Sequence, residues 1–454
     1  MIRIIVAPGI NFKKDPWGCI AQHRYYNFLL RSQWYPIEKL ELYQLRRLKD
    51  LLKYAGQNVP YYSKLFNRIK LRIADFSSLK DLERIPVLTK DSLINNFDKM
   101  ISKKYHKERH VKKTTSGTTG KPLDLYFDKS FYYYIFRAFN SRRKNWFGIN
   151  RLNKRVNLWC WPFLEDENRN KILLYHKNNM VLSLSTLPQD RKVLPVYLKE
   201  MEMFKADYVY GNPSLLYQLA CCASERNIGS IRFRIFLSAF EHLFPYQKDL
   251  IEKQFGCRVF NYYGTQERLF SATECYEYGN LHIDMENGIV EIVKKGKQLA
   301  DGECGSLVAT GLHNYIMPLI RYDIGDIASI SGRICPCKRG LKTIDLLRGR
   351  SNEKLFYNNK YIYSATLAQL LTRLKKIKEC QFVQVSGSQL LINVILDSCA
   401  PDDTIVQFKA FLRELIGDDI EIEVRFVDSI PRDPSGKFKF IISDLNNQFE
   451  TGAK

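Results

Sequence analysis

Thr114-Thr115-Ser116-Gly117-Thr118-Thr119-Gly120-Lys121-Pro122-Leu123 is the stretch on which the fold of this 454-residue chain turns. Its threonines, serine, two glycines and lysine leave nothing before Leu123 that could pack a core. Glycine lets backbone N–H groups approach an anion closely, hydroxyls add donors, and a lysine adds a mobile positive charge. The combination suits a polyphosphate, although a polar surface turn has the same composition. The spacing excludes the Walker loop, which has four residues between its glycines and a Ser or Thr after its lysine. Here Gly117 and Gly120 are three apart and Pro122 follows Lys121. A different phosphate loop is expected, and its partners must lie elsewhere in the chain.

Outward from the loop, Leu123-Asp124-Leu125-Tyr126-Phe127 alternates like a strand, and Lys112-Lys113 precedes it, so the loop is expected to join two strands. Upstream, Leu40, Leu42, Leu45, Leu48, Leu51 and Leu52 approximate a helical face over 37–54. Pro60 ends that helix, because the residue before a proline avoids the helical region. Thr89 is the expected N-cap of the next helix. Residues 1–30 are aromatic and basic without clear periodicity.

Residues 155–300 alternate strand and helix, with strands at 156–161, 206–210, 233–238 and 259–263. Pro213 and Pro245 open helices, and Gly256 closes the second. Such units predict a parallel sheet, whose ligands bind at the carboxyl ends of the strands. Two sharp loops fall there: Ser238-Ala239-Phe240-Glu241 and Tyr263-Gly264-Thr265-Gln266-Glu267-Arg268. Short strands and Gly-rich turns over 288–349 predict a β-barrel-like subdomain. A helix near 364–377, strands near 381–385 and 390–396, a helix near 402–416 and a strand at 420–427 predict a small α+β domain over 350–454. The fold class is therefore α/β: parallel sheets flanked by helices, a β-rich subdomain, and a small mobile C-terminal domain.

A hydrophobic share of 45% and a charged share of 26% are those of an ordinary soluble protein. The net charge of +22 points to an anionic membrane surface, acidic substrates or nucleic acid. The basic residues are spread along the chain with no arginine-rich tail, so nucleic acid is not the expected partner. The 11 cysteines are odd in number and mostly single within apolar runs, which suits a reducing cytosol. No uncharged run approaches the ~18 residues of a membrane span, and no signal-peptide core is present. A cytoplasmic location is expected, at most peripheral to the membrane, as a monomer or homodimer.

In this order, the motifs resemble those of the adenylate-forming (acyl-CoA synthetase-like) superfamily from about residue 40 to residue 445. They are most similar to phenylacetate–CoA ligase-like proteins, nearest the CapK-like subgroup encoded with capsular polysaccharide genes. Leu45-Arg46-Arg47-Leu48 through Asn58-Val59-Pro60-Tyr61-Tyr62 is similar to that subgroup's N-terminal signature. The resemblance implies an adenylation domain over 1–349, its β-rich part included, and a C-terminal domain over 350–454. It makes Thr115, Ser116, Gly117, Thr118, Thr119, Gly120 and Lys121 the ATP phosphate loop. Ala239, Phe240 and Glu241 take the place of a Gly-Gly-Glu-like turn beside adenine, with Phe240 replacing a small residue. Tyr263 would lie against adenine, followed by Gly264 and Thr265, and Glu267 would ligate Mg2+. Gln266 replaces a phosphate-contacting Thr or Ser. Asp326 matches the residue that binds the ribose hydroxyls, and Arg350 the ribose and phosphate Arg at the domain junction. Lys437 matches the lysine that reaches the acyl carboxylate and phosphate. Catalysis is thus expected from Lys437, Glu267 and Arg350. A carboxylate nucleophile needs no general base, and no His/Asp/Ser constellation competes.

Cys275, His282 and Cys335-Pro336-Cys337 offer three thiolates and one imidazole, the soft tetrahedral set that Zn2+ favours. Some ligases of the subgroup resemble this chain in carrying such a set beside the β-rich subdomain. A complete shell leaves no open position, so a structural zinc is expected. The reaction expected is ATP-dependent activation of a small carboxylic acid, then acyl transfer in surface polysaccharide assembly. Asn352 replaces the family's hinge Asp, and Tyr357-Asn358-Asn359-Lys360 replaces the Gly-containing loop of the CoA tunnel. An amine or hydroxyl acceptor, such as an amino sugar or nucleotide sugar, therefore stands beside CoA. The alternative to an enzyme is a degenerate nucleotide-binding scaffold. The departures at Phe240, Gln266 and Asn352 favour it, and the survival of Glu267, Asp326, Arg350 and Lys437 opposes it.

Overall fold

The computed structural model describes residues 16–104, 110–114, 123–159, 166–168, 171–176, 179–187, 191–331, 333–350, 354–357, 360–373, 377–396, 403–433 and 437–443. The chain forms two compact units, each drawn from two stretches of sequence. One runs to Arg151 and resumes over Tyr262–Leu347, and the other comprises Leu152–Asn261 and Arg348–Lys454.

In the first unit, helices Pro16–Ser32, Ile37–Asn58 and Pro60–Arg68 precede the hairpin His110–Thr114/Asp124–Asp128 and the helix Phe136–Trp146. The leucine spacing predicted the second of these, and it ends at Asn58, where Pro60 starts the next. Its inner face is Leu40, Gln44, Leu48, Leu51, Leu52 and Ala55. Leu42, expected on that face, is exposed, because two residues along a helix turn it well away from Leu40. Gln44 faces inward instead, and its amide donates to the carbonyls of Met285 and Gly288 at 2.9 and 2.8 Å. Strands Gly288–Lys294, Gly305–Gly311 and Tyr322–Ser331 run antiparallel, with Lys297–Gln298 pairing back on the first. Their apolar faces close one core with the leucines of Ile37–Asn58. Thr89 accepts a hydrogen bond from the Ser92 N–H, capping the helix Lys90–Asn95 as expected.

In the second unit, strands Arg155–Leu158, Tyr208–Gly211, Ile235–Ser238 and the start of Arg258–Gly264 pair in parallel in that order. Val181–Leu184 continues the parallel set, and Leu173–His176 joins it antiparallel. Helices Leu194–Phe204, Pro213–Glu225 and Pro245–Phe255 bury the sheet in one apolar cluster. Gly256 closes the last helix in the left-handed region, φ 60°. Gly211, at φ +143°, has no substitute: a Cβ there would stand 2.1 Å from the Leu158 carbonyl oxygen. That close backbone approach turns the chain sharply into Asn212 and the next helix.

The end of the chain supplies a four-stranded sheet in the order Glu421–Phe426, Gln389–Leu396, Ile377–Gln384, Ile441–Ser443. Helices Ser364–Arg373 and Thr404–Ile416 accompany it, and its core is Leu371, Phe382, Ile392, Phe408 and Leu412. Among the described residues no helix is long and apolar enough to cross a membrane.

Candidate active site

The phosphate loop expected at Thr115, Ser116, Gly117, Thr118, Thr119, Gly120 and Lys121 lies outside the described residues, but both its ends are within them. Thr114 pairs directly with Asp124 across the hairpin, so the loop joins two antiparallel strands as predicted. The Thr114 hydroxyl donates to the Asp124 carboxylate at 2.6 Å, and Lys112 pairs with the same group at 2.7 Å. Those bonds, from Lys112 first, hold the Asp124 carboxyl below its usual range.

In the first unit the structure brings Tyr263 and Asp326 together. Tyr263 stands near the end of strand Arg258–Gly264 and Asp326 within strand Tyr322–Ser331. The tyrosine hydroxyl donates to Asp326 Oδ2 at 2.5 Å, and its ring stacks on Phe270. Gly264, Thr265 and Glu267 follow in the loop beyond. The Thr265 hydroxyl is buried and finds no hydrogen-bond partner among the described residues. A buried orphan donor is what a polar ligand would satisfy. Glu267 is half-buried. Arg268 pins the loop from behind: its backbone is left-handed at φ 54°, and its guanidinium lies over the rings of Tyr132 and Phe136 at 3.8 and 4.3 Å. Sequence reasoning gave Arg268 no role, and the aromatic run 131–136 was the available signal.

In the second unit Ala239, Phe240 and Glu241 form the turn after strand Ile235–Ser238. Phe240 holds φ +77°, a region that favours glycine. The bulky residue thus adopts a backbone conformation that favours glycine, while its ring packs edge-on against Tyr210 and near Trp159. Glu241 reaches across the unit. Its carboxylate accepts from Asn212 Nδ2 at 2.9 Å, the Ser214 N–H at 3.3 Å and the Phe438 N–H at 3.0 Å. The Ser214 N–H belongs to the first turn of Pro213–Glu225, where a carboxylate is favoured by the helix dipole. Phe438 immediately follows Lys437. Around it, the Lys437 N–H donates to Asp433 at 3.0 Å, and Arg432 lies over the Phe438 ring while pairing with buried Glu379 at 3.0 Å. The turn beside the expected adenine site and the lysine loop are therefore tied by one carboxylate. Motif matching found Glu241 but not its partners; the Asn212-Pro213 helix start was the signal. The side chain of Arg350 is outside what the structure describes, as are Asn352, Asn358 and Asn359.

Cys275, His282, Cys335 and Cys337 converge, with one ligand atom from each lying within 4.8 Å of all the others. Cys335 and Cys275 sulfurs are 3.9 Å apart, and Cys337 Sγ is 3.2 Å from His282 Nε2. Strand pairing sets His282 opposite Thr273, two residues before Cys275, and the turn after Ser331 brings in the Cys-Pro-Cys pair. His282 Nδ1 faces the Leu341 carbonyl at 3.4 Å, the second bond that orients a ligating imidazole. Burial opposes ionisation of Cys337, yet His282 and the Arg339 backbone bring its thiol down to about 6. Burial pushes the Cys335 thiol up to about 12. Three thiols and one imidazole gathered this closely are a donor set that fits Zn2+.

A cavity of about 770 Å³ opens elsewhere in the first unit, between Leu45, Leu79, Met285 and Leu299. None of the expected nucleotide residues lines it.

Residues 356–444 match the CapK C-terminal domain family. Over 414 residues the chain is 28% identical to Protein CapK of Staphylococcus aureus, covering 88% of this chain and 89% of that one. Over 351 residues it is 24% identical to a phenylacetate-coenzyme A ligase of Thermus thermophilus, covering 75% and 77%. A solved structure of 2-hydroxyisobutyryl-CoA ligase in the postadenylation state, in complex with R3-HIB-AMP, superposes with a TM-score of 0.75. That match spans 93% of this chain and 94% of that one at 18% identity, a likeness of fold.

Proposed function

The chain belongs to the adenylate-forming superfamily, in its phenylacetate–CoA ligase-like and CapK-like branch, and on that premise we propose that it activates a carboxylic acid with ATP and passes the acyl group to an acceptor. A carboxylate oxygen attacks the α-phosphorus. The bond from that phosphorus to its bridging oxygen breaks, and pyrophosphate leaves with the oxygen. Both reactants are anions, so fixed N–H donors and cations are the stabilisers required.

In this reading Thr115–Lys121 grip the triphosphate. Ala239 and Phe240 border the adenine, Tyr263 lies against it, and Gly264 and Thr265 line the phosphate side. Asp326 takes the ribose hydroxyls, Arg350 contacts ribose and phosphate, and Lys437 reaches the reacting carboxylate. Glu267 would hold Mg2+, which when bound offsets the charge gathered on the phosphate oxygens. The orphan Thr265 hydroxyl two residues away fits a ligand at that place. Glu241 positions Lys437 through the Phe438 N–H. Zn2+ on Cys275, His282, Cys335 and Cys337 would staple the β-rich part, since four protein ligands leave no place for substrate. The observation that carries the reading is the Tyr263–Asp326 hydrogen bond, which joins two motif residues 63 apart in sequence at one strand end.

The acceptor is an amine or hydroxyl, such as an amino sugar of surface polysaccharide assembly, reached from the cytoplasm at the membrane surface. Asn352 in place of the hinge Asp and the Tyr357–Lys360 loop favour it. The second reading, acyl transfer to CoA, is favoured by the phenylacetate-coenzyme A ligases among the relatives.

Acid-dependent ATP–pyrophosphate exchange over a panel of carboxylic acids tests the activation step. The expected result is exchange with at least one acid, reduced about 10²–10³-fold in Lys437→Ala, the scale of losing one transition-state cation or donor. ATP binding with no exchange for any acid would show a scaffold instead. Adding CoA, or amino-sugar nucleotides, to the active mixture separates the acceptors.

A further inference from the structure

The helix Pro16–Ser32 has one face with no role in the core. Its inner face is anchored: Cys19, Gln22, Tyr26, Leu29 and Ser32 are buried, and Gly18 lies so close to Tyr134 that a Cβ would meet its ring at 2.1 Å. Among the residues of the helix whose burial is described, the exposed ones, Trp17, Ile20, Ala21, Arg24, Asn27 and Arg31, fall within an arc of about 120° at 100° per residue. Trp17 is 80% exposed, and just past the helix Trp34 is 51% exposed. Trp17 is joined on the same face by exposed Ile20 three residues on, so the apolar side chains open together rather than singly.

The charge on this face has one sign. Residues 16–37 contain no Asp or Glu, and the next described acid, Glu38, belongs to the first turn of the following helix. Neither Arg24 nor Arg31 has an ion-pair partner among the described residues. The turn at Lys338-Arg339 supports this end of the face: the Gly340 N–H bonds the Gln33 carbonyl, and the Arg339 guanidinium lies 5.1 Å from the Trp34 ring and 4.5 Å from that of Trp146. The result is a rigid stripe roughly 25 Å long with indoles at both ends and cations along it. Indoles settle at the headgroup level of a bilayer, and arginines pair with lipid phosphates. A second copy of the same face would set Arg24 and Arg31 against like charge, with no acid on the helix itself to offset them.

We propose that the outer face of Pro16–Ser32, continued by Trp34, docks this protein on an anionic lipid surface. The inference deepens the proposed function by placing the enzyme where a membrane-borne acceptor is met. It rests on that reading only for its purpose, since docking needs no catalysis.

Flotation of the full chain with phosphatidylcholine vesicles, with and without 30% phosphatidylglycerol, tests it. Binding to the anionic vesicles alone is expected. Each cation near an anionic surface contributes about fivefold, so Arg24→Glu/Arg31→Glu should lower the partition coefficient at least tenfold. Trp17→Ala/Ile20→Ser should lower it severalfold while leaving pyrophosphate exchange unchanged. The control Lys294→Glu/Lys295→Glu alters two exposed lysines at the hairpin of Gly288–Lys294 and Lys297–Gln298 and should leave binding within twofold. No binding to either vesicle, equal binding to both, or an equal loss in the control would overturn the proposal. So would a dimer in sedimentation velocity that Trp17→Ala dissolves, which would make the face a contact between copies. Exchange activity fails or holds independently: vesicle binding without exchange refutes the ligase reading alone.

Discussion

His313 is buried with its ring stacked on Phe131 and its Nε2 2.8 Å from the Glu286 carbonyl and 3.0 Å from the Tyr25 hydroxyl. Burial drives its pKa down to about 4. The unfolded chain, with an ordinary histidine near 6.5, therefore binds more protons than the folded one between those values. Stability is complete above pH 6.5, falls as the pH drops toward 4, and levels below it. The loss from this residue between pH 7 and pH 5 is about 2 kcal/mol. Comparing the melting temperatures of the wild type and His313→Gln at both pH values isolates it: the variant should start lower but change less. An identical pH dependence in the two proteins would show that His313 does not titrate on unfolding. Nothing in the sequence marked this histidine, because its environment is assembled from Tyr25, Phe131 and Glu286, far apart in the chain. Tyr263 and Asp326, which the structure brings into contact, were singled out from the sequence for the opposite reason, since a motif carries its own context.

The bridge from Glu241 to the Phe438 N–H joins a sheet turn to a C-terminal loop, and its loss should act on one half-reaction. Glu241→Ala strands the Asn212 amide and two backbone N–H groups, at a cost of about 1–3 kcal/mol in stability. Pyrophosphate exchange should fall about 10–100-fold as Lys437 loses its placement. Acyl transfer from preformed acyl adenylate should change less than threefold, whereas a merely damaged fold would lower both. The cluster of Cys275, His282, Cys335 and Cys337, proposed above to hold zinc, is the other element-scale device. Cys335→Ser should take bound zinc from one per chain to none and lower the melting temperature, and unchanged stoichiometry would remove the metal from the account. Elements with internal periodicity were readable in advance: Ile37–Asn58 from its leucines, Pro245–Phe255 from its proline and glycine ends. Pro16–Ser32 was not, because Trp17 and Ile20 face outward and Gln22 and Ser32 inward, which erases the apolar spacing that marks a helix. Phe240 shows the same limit at a turn, where the backbone kept a glycine-like conformation without the glycine.

Stretches separated by more than 100 residues meet at one buried cation that no sequence pattern indicates. Arg142 is fully buried, with Nη2 2.5 Å from Asp284 Oδ1 and Nη1 2.7 Å from Glu286 Oε1, and it also donates to the Leu29 carbonyl at 3.4 Å. Ser32 and Ser271 donate to the same two carboxylates. The first helix, the helix Phe136–Trp146 and the segment 284–286 are thus fixed to one another through a single guanidinium. Burial raises the Asp284 carboxyl even with Arg142 beside it. Two buried carboxylates without their cation are worse than none, so Arg142→Ala should cost about 3–5 kcal/mol at neutral pH. The sign with pH follows from the raised carboxyl: the folded state holds its proton more tightly than the unfolded one, so acid favours folding at this site. Relative to the wild type at the same pH, Arg142→Ala should therefore be less destabilised at pH 5 than at pH 7. The triple change Arg142→Met/Asp284→Asn/Glu286→Gln, which removes all three charges together, should recover much of the loss. Urea unfolding midpoints decide it: a defect as large at pH 5 as at pH 7, with no recovery in the triple variant, would mean that shape rather than charge holds these stretches together.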